Sequence, residues 1–221
     1  MIDDTMNPRS RPGTPLPRLC LLTPPVDDPA AAAGLADAMS GADVAAVLLR
    51  LPDADERSLI NLVKKVAPPV QDRDAALLLA GRDDIVARSG ADGAHLGNVG
   101  ALKDAVARLK PKNIAGVGGL RTRHDAMTAG EAGADYVMFG DPDEAGNRAS
   151  FDAIIDRVGW WAEVFEVPCV AYAARLEEIE ALAAAGADFV AIGTAVFDDP
   201  RGLKTALAEA AARLGHRRNA P

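Results

Sequence analysis

Cysteine is scarce in this chain: 221 residues contain two, Cys20 and Cys169, both in apolar runs and without C-x-x-C spacing. Neither a disulfide framework nor a zinc knuckle is indicated. No window holds about eighteen consecutive apolar residues, the length a spanning helix needs. Met1 to Pro17 is polar and proline-rich, not a charged head followed by an apolar block. The sequence therefore predicts a protein that is neither exported nor membrane-spanning, and so cytoplasmic. Basic residues are in deficit, 24 Lys and Arg against 32 Asp and Glu, for a net charge of −8. A duplex nucleic-acid binder needs the opposite balance to displace counterions from phosphates. Dinucleotide and P-loop signatures are also missing after the first strand-like runs, which weighs against an open doubly wound sheet.

What remains is an ordinary globular composition, 49% hydrophobic and 25% charged, with enough chain for one large core. Prolines at 8, 12, 15 and 17 remove backbone donors, so residues 1–17 read as a mobile tail, 18–215 as one domain and 216–221 as a second tail.

An internal repeat organises that domain. Gly-Ala-Asp recurs at Gly41, Gly90, Gly133 and Gly186, each time followed by an apolar run, at intervals of about fifty residues. A glycine there can take the left-handed conformation that ends a helix, and the aspartate opens a strand. Four more apolar runs lie between, at 18–23, 75–80, 113–118 and 168–173. Eight strands alternate with helical periodicity at 29–39, 54–66, 83–89, 100–109, 122–132, 150–165, 175–185 and 201–214. Short, nearly all-apolar strands with regular helical connections predict a (β/α)8 TIM barrel.

In such a barrel, function sits at the carboxyl ends of the strands. Strand 2 ends in Arg50, a cation suited either to an anionic ligand or to a neighbouring carboxylate. Strand 4 ends in Gly93-Ala94-His95-Leu96-Gly97-Asn98, where His95 is either an acid-base residue or a satisfied structural histidine. After strand 5, the run Gly116 to Gly119 leads to Arg121, Arg123 and His124, a weak anion site or a solvated helix face. Strand 8 ends in Gly193-Thr194, which fits a phosphate site or a tight turn with Thr194 as helix cap.

Four segments, GADGAHLG at 90–97, GADYVMFG at 133–140, Leu49-Arg50 and GADFVAIGTAVF at 186–197, together resemble thiamine phosphate synthase, including its thiazole tautomerase branch, over about residues 18–212. The resemblance implies an alkyl transfer: the diphosphate of a hydroxymethylpyrimidine leaves and a thiazole phosphate nitrogen attacks. It implies Arg50 and His95 as catalytic residues and Arg82, Asn98, Gly118, Gly193 and Thr194 as substrate-binding ones. It further implies Mg2+, small phosphorylated substrates and a homodimer.

The chain departs from the family pattern at several places. Leu48 and Pro52 stand where a glutamine and a lysine flank Arg50, and Ala80-Gly81-Arg82 replaces Asn-Asp-Arg. An acidic position falls on Val99 or Gly100, a serine on Gly118, paired glycines on Ala173-Ala174, and T-x-T-K on Asp141-Pro142-Asp143-Glu144. Three readings follow. The chain is a synthase with substituted ligands, a metal-free tautomerase-like enzyme using His95 or His124, or a non-catalytic binder of a phosphorylated thiazole or pyrimidine. In the first, the 141–144 loop would supply metal carboxylates.

Overall fold

Strands that are apolar on both faces must lie in a sheet covered on both sides. In the computed structural model, which describes residues 16–143 and 145–215, the eight apolar runs are eight parallel strands closed into a barrel in sequential order. They are β1 (Arg18–Pro25), β2 (Val44–Arg50), β3 (Ala76–Ala80), β4 (Gly93–Leu96), β5 (Ile114–Val117), β6 (Tyr136–Phe139), β7 (Cys169–Ala173) and β8 (Phe189–Ile192). The helices outside are α1 (Ala31–Met39), α2 (Glu56–Gln71), α3 (Val86–Ser89), α4 (Val99–Leu109), α5 (Arg123–Glu131), α6 (Phe151–Val164), α7 (Ile179–Ala184), α8 (Thr194–Phe197) and α9 (Leu203–Arg213). Apart from Leu16 and Pro17, the two expected tails lie outside the described residues. No described helix is long and apolar enough to cross a membrane.

Several element boundaries differ from expectation, the largest for a physical reason. Helix α2 runs five residues past 66, through Pro68 and Pro69. Its face carries Val63, Val66, Ala67 and Val70, all buried, and that packing outweighs the lost donors. The segment from 194 holds a separate short helix, α8, before α9.

The repeat has a clear structural task at the amino-terminal face. Gly90, Gly133 and Gly186 take φ of 83°, 93° and 102°, the left-handed stop that the repeat implies. Gly41 does not share it among the positive-φ glycines. The aspartates then reach sideways. Asp92 Oδ2 accepts the Leu77 N–H at 2.7 Å, Asp135 Oδ2 the Ala115 N–H at 2.8 Å, and Asp188 Oδ2 the Cys169 N–H at 2.8 Å. Each carboxylate thus ties the preceding strand to the one it opens. In the first unit Asp43 receives the Arg18 Nε instead, at 2.8 Å.

Side chains alternate between the helix-packed outside and the lumen. The lumen holds Cys20, Leu48, Leu78, Met138, Val170, Tyr172 and Ala191. Burial pushes the Cys20 thiol up to about 12, so it acts there as a small apolar group. Because Ala46 and Ala76 are small, the lumen leaves a cavity of about 200 Å³ bordered by Cys20, Leu78, Tyr136, Met138 and Phe189.

Replacing Asp92 with alanine removes the acceptor for Leu77 and for the Gln71 amide, which donates to Asp92 at 2.9 Å. The expected loss is about 2 kcal/mol of unfolding free energy, read by urea denaturation. Ligand affinity at the opposite face should stay unchanged.

Candidate functional site

The carboxyl ends of the strands gather most of the polar side chains that the sequence singles out. At β2, the buried Thr23 hydroxyl accepts the Arg50 N–H at 3.1 Å and fixes the strand end. The Arg50 guanidinium is exposed and makes no hydrogen bond or ion pair among the described residues. Of its two readings, the one with a rim carboxylate does not occur. Arg82 differs: its Nε and Nη2 form a bidentate pair with Asp84 at 2.9 and 2.8 Å, so its charge is already neutralised.

His95 is 8% exposed and stacks on Tyr136, with ring centroids 5.7 Å apart. Its Nδ1 lies 2.8 Å from the Tyr136 hydroxyl. With the hydroxyl donating to Nδ1, the neutral ring carries its proton on Nε2; with Nδ1–H donating to the hydroxyl, Nε2 is an acceptor. Burial lowers the imidazole from 6.5 to about 4 and raises the phenol well above its usual value. The histidine is therefore neutral near pH 7.

Gly118 shows what Nε2 faces. A Cβ at Gly118 would lie 2.7 Å from His95 Nε2 and 2.7 Å from Asp141 Oδ2. Glycine is required by the close approach of those two groups. Asp141 Oδ2 also accepts the Gly119 N–H at 2.9 Å, and burial raises its carboxyl above the ordinary aspartate value. Nothing in GADYVMFG marks Tyr136 for this task, and the sequence pattern offers Asp141 as a substituted metal carboxylate. Pairing across the barrel is invisible in a linear pattern.

The other candidates have local tasks. Asn98 Oδ1 caps α4 by accepting the Ala101 N–H at 2.9 Å. Thr122 and Asp125 form a reciprocal cap on α5, so that helix start already holds a carboxylate. Exposed Arg123 lies 4.7 Å over the Trp160 ring, and His124 is exposed in the same turn. These are features of a solvated helix face.

At β8, Gly193 is the residue before α8 and no side chain caps that helix; Thr194 is its first residue rather than its cap. A Cβ at Gly193 would be 3.2 Å from the Leu22 carbonyl oxygen, so this strand end offers bare backbone. The β7 end is closed instead. Buried Glu178 accepts the Ala174 N–H at 2.8 Å and pairs with Arg148 at 2.9 Å and Arg175 at 3.3 Å. A protein carboxylate, undetectable from motif reading, thus occupies the backbone donor on that side. Arg148 Nε is buried without a hydrogen-bond partner in the described structure.

The carboxylates do not fit a magnesium ion held by the protein alone. Asp84 is paired with Arg82, Asp83 with Arg108 at 2.7 Å, and Asp143 receives Asn147 N–H, Ala145 N–H and Arg121. Among the described residues no group of three His, Cys, Asp or Glu is placed to ligate a metal, whereas such a cation takes several oxygens.

Because the unfolded His95 binds a proton near 6.5 and the folded one near 4, protonation favours unfolding. Stability should fall by about 3 kcal/mol as pH drops through that window. Asp141, with a raised carboxyl, acts in the opposite sense. Thermal melts from pH 7 to 4 should show a smaller acid-side loss in His95→Asn than in the unsubstituted protein; equal loss would remove His95 as its source.

A family model described as thiamine monophosphate synthase matches residues 19–196. The chain is 42% identical over 196 residues to the thiamine-phosphate synthase of Rhodospirillum centenum, covering 87% of this chain and 95% of that one. It is 35% identical over 172 residues to the thiamine-phosphate synthase of Erythrobacter litoralis, covering 75% and 81%. In fold it is similar to the thiamine phosphate pyrophosphorylase of Pyrococcus furiosus, with a TM-score of 0.72 at 20% identity, covering 90% and 95%. With a barrel spanning the matched residues and relatives of this similarity along nearly its whole length, the chain belongs to the thiamine monophosphate synthase family.

Proposed function

We propose that the protein is a thiamine phosphate synthase, joining hydroxymethylpyrimidine diphosphate to thiazole phosphate. The observation that carries this reading is the 42% identity to a thiamine-phosphate synthase over 87% of the chain. In the reaction the bond from the pyrimidine methylene carbon to the diphosphate oxygen breaks, and the diphosphate departs with the electron pair. The thiazole nitrogen then donates its lone pair to that carbon, forming the thiazolium of thiamine phosphate. The tautomerase-like and binding-only readings are not favoured, because these relatives are named as synthases.

Each mouth residue takes a part in this reading. Arg50, unpaired and exposed, receives the anionic diphosphate, with Arg82 beside it once Asp84 is displaced or shared. Gly193 and Thr194 take the thiazole phosphate through uncapped backbone donors and the Thr194 hydroxyl. His95, neutral and anchored by Tyr136, orients the pyrimidine, while Asn98 and Gly118 shape the walls around it. The apolar lumen below, lined by Leu48 and Met138, keeps water from the carbon that becomes cationic. The two buried free cysteines suit a reducing compartment, so we place the protein in the cytoplasm. The homodimer implied by the family resemblance is tested by light scattering, where a mass near twice 22.9 kDa is expected.

The test supplies both substrates and magnesium to purified protein and measures thiamine phosphate. Turnover is expected, with kcat/KM lowered roughly a hundredfold in Arg50→Ala through loss of a charged contact, and with an unchanged melting temperature. No product from the unsubstituted protein would overturn the assignment.

A further inference from the structure

The charged groups at the barrel mouth are unevenly committed. Asp84, Asp143 and Glu178 each carry an arginine partner. Asp141 is half-buried and accepts the Gly119 N–H through Oδ2, yet it forms no ion pair among the described residues. Its second oxygen, Oδ1, receives no hydrogen bond from another described residue. Beside it stands His95 Nε2, also without a partner among the described residues. Asp141 Oδ2 and His95 Nε2 converge on the space that the missing Gly118 side chain leaves, each 2.7 Å from where a Cβ would stand, so the mouth presents a carboxylate and an imidazole side by side.

Position around the barrel tells which part of a substrate this pair can meet. In a closed ring of eight strands, β2 with Arg50 and β6, which leads into Asp141, are diametrically opposed. An anion drawn to Arg50 is repelled from Asp141. The pair at β4 and β6 therefore suits the neutral, hydrogen-bonding end of a molecule whose other end is a phosphate. A ring nitrogen flanked by an exocyclic amine offers one acceptor next to one donor, the complement of an imidazole N–H beside a carboxylate.

Resting on the synthase reading above, we infer that Asp141 and His95 together recognise the amino edge of the pyrimidine substrate: Asp141 accepts from the exocyclic amine and His95 donates to the adjacent ring nitrogen. Gly118 is the third partner in the arrangement, since any side chain there would collide with both groups. The loss of the family's serine at 118 and its threonine at 141 is then one coupled exchange. A carboxylate hydrogen-bonded to the amine also favours positive charge on the ring as the diphosphate leaves.

The recognition is tested by calorimetric affinity of the unsubstituted protein and Asp141→Asn for three probes. These are hydroxymethylpyrimidine diphosphate, its analogue with hydrogen in place of the amine, and inorganic diphosphate. In Asp141→Asn the amide oxygen keeps the Gly119 N–H, which turns the amide NH2 toward the substrate amine. The unsubstituted protein should prefer the amino compound over its analogue about ten- to a hundredfold. Asp141→Asn should lose that preference while binding inorganic diphosphate as before. The probe comparison on the unsubstituted protein needs no variant to fold. Equal affinities there, or a preference that survives in a folded Asp141→Asn, overturn the role of Asp141. Absence of thiamine phosphate formation alongside an Asp141-dependent preference would instead overturn the reaction and leave the recognition standing.

Discussion

A parallel barrel closes only if each strand enters the sheet at the correct height, and in this chain three of those heights are set by a carboxylate. Asp92, Asp135 and Asp188 each accept the N–H of a residue on the neighbouring strand. These bonds fix register at the amino-terminal face. Register there decides which side chain points inward at the opposite face, because a slip of one residue exchanges lumen for exterior. The placement of His95 and Gly193 is therefore inherited from aspartates at the far end of the strands, Asp92 and Asp188.

The division of labour between faces explains why the fold was so legible. Apolar runs, left-handed glycines and Gly-Ala-Asp repeats are local signals, and each is tied to local backbone chemistry. Several boundaries shifted, at α3, α7 and α8 among others, and the largest shift came where packing overrode propensity, in α2 beyond Pro68 and Pro69. At the mouth, Arg50 and His95 were found because a charge or an imidazole ending an apolar strand is conspicuous. Asp141, Tyr136, Arg148 and Glu178 were missed or misread because their roles arise across strands. Nothing in the string ties Glu178 to the Ala174 N–H or Asp141 to Gly118. Asn98 and Asp125 show the converse: residue types that suit a ligand were used to cap helices.

The electrostatics of the mouth follow a single logic. Most charges are paired within the protein, and exposed pairs of that kind contribute little to stability. The few groups left uncommitted consequently dominate what a ligand encounters. Arg50 offers a cation on one side, Asp141 and His95 a carboxylate and an imidazole on the other, and α8 its uncapped backbone between. Glu178 narrows the choice further by filling the β7 end with a carboxylate of the protein's own.

The lumen cavity gives this rigid arrangement one compliant element. Tyr136 holds His95 by its hydroxyl, yet the same ring borders the empty space of about 200 Å³ inside the barrel. Because that space is partly open to solvent, with Arg18 in its wall, a change in what fills it reaches the histidine above through that one hydrogen bond.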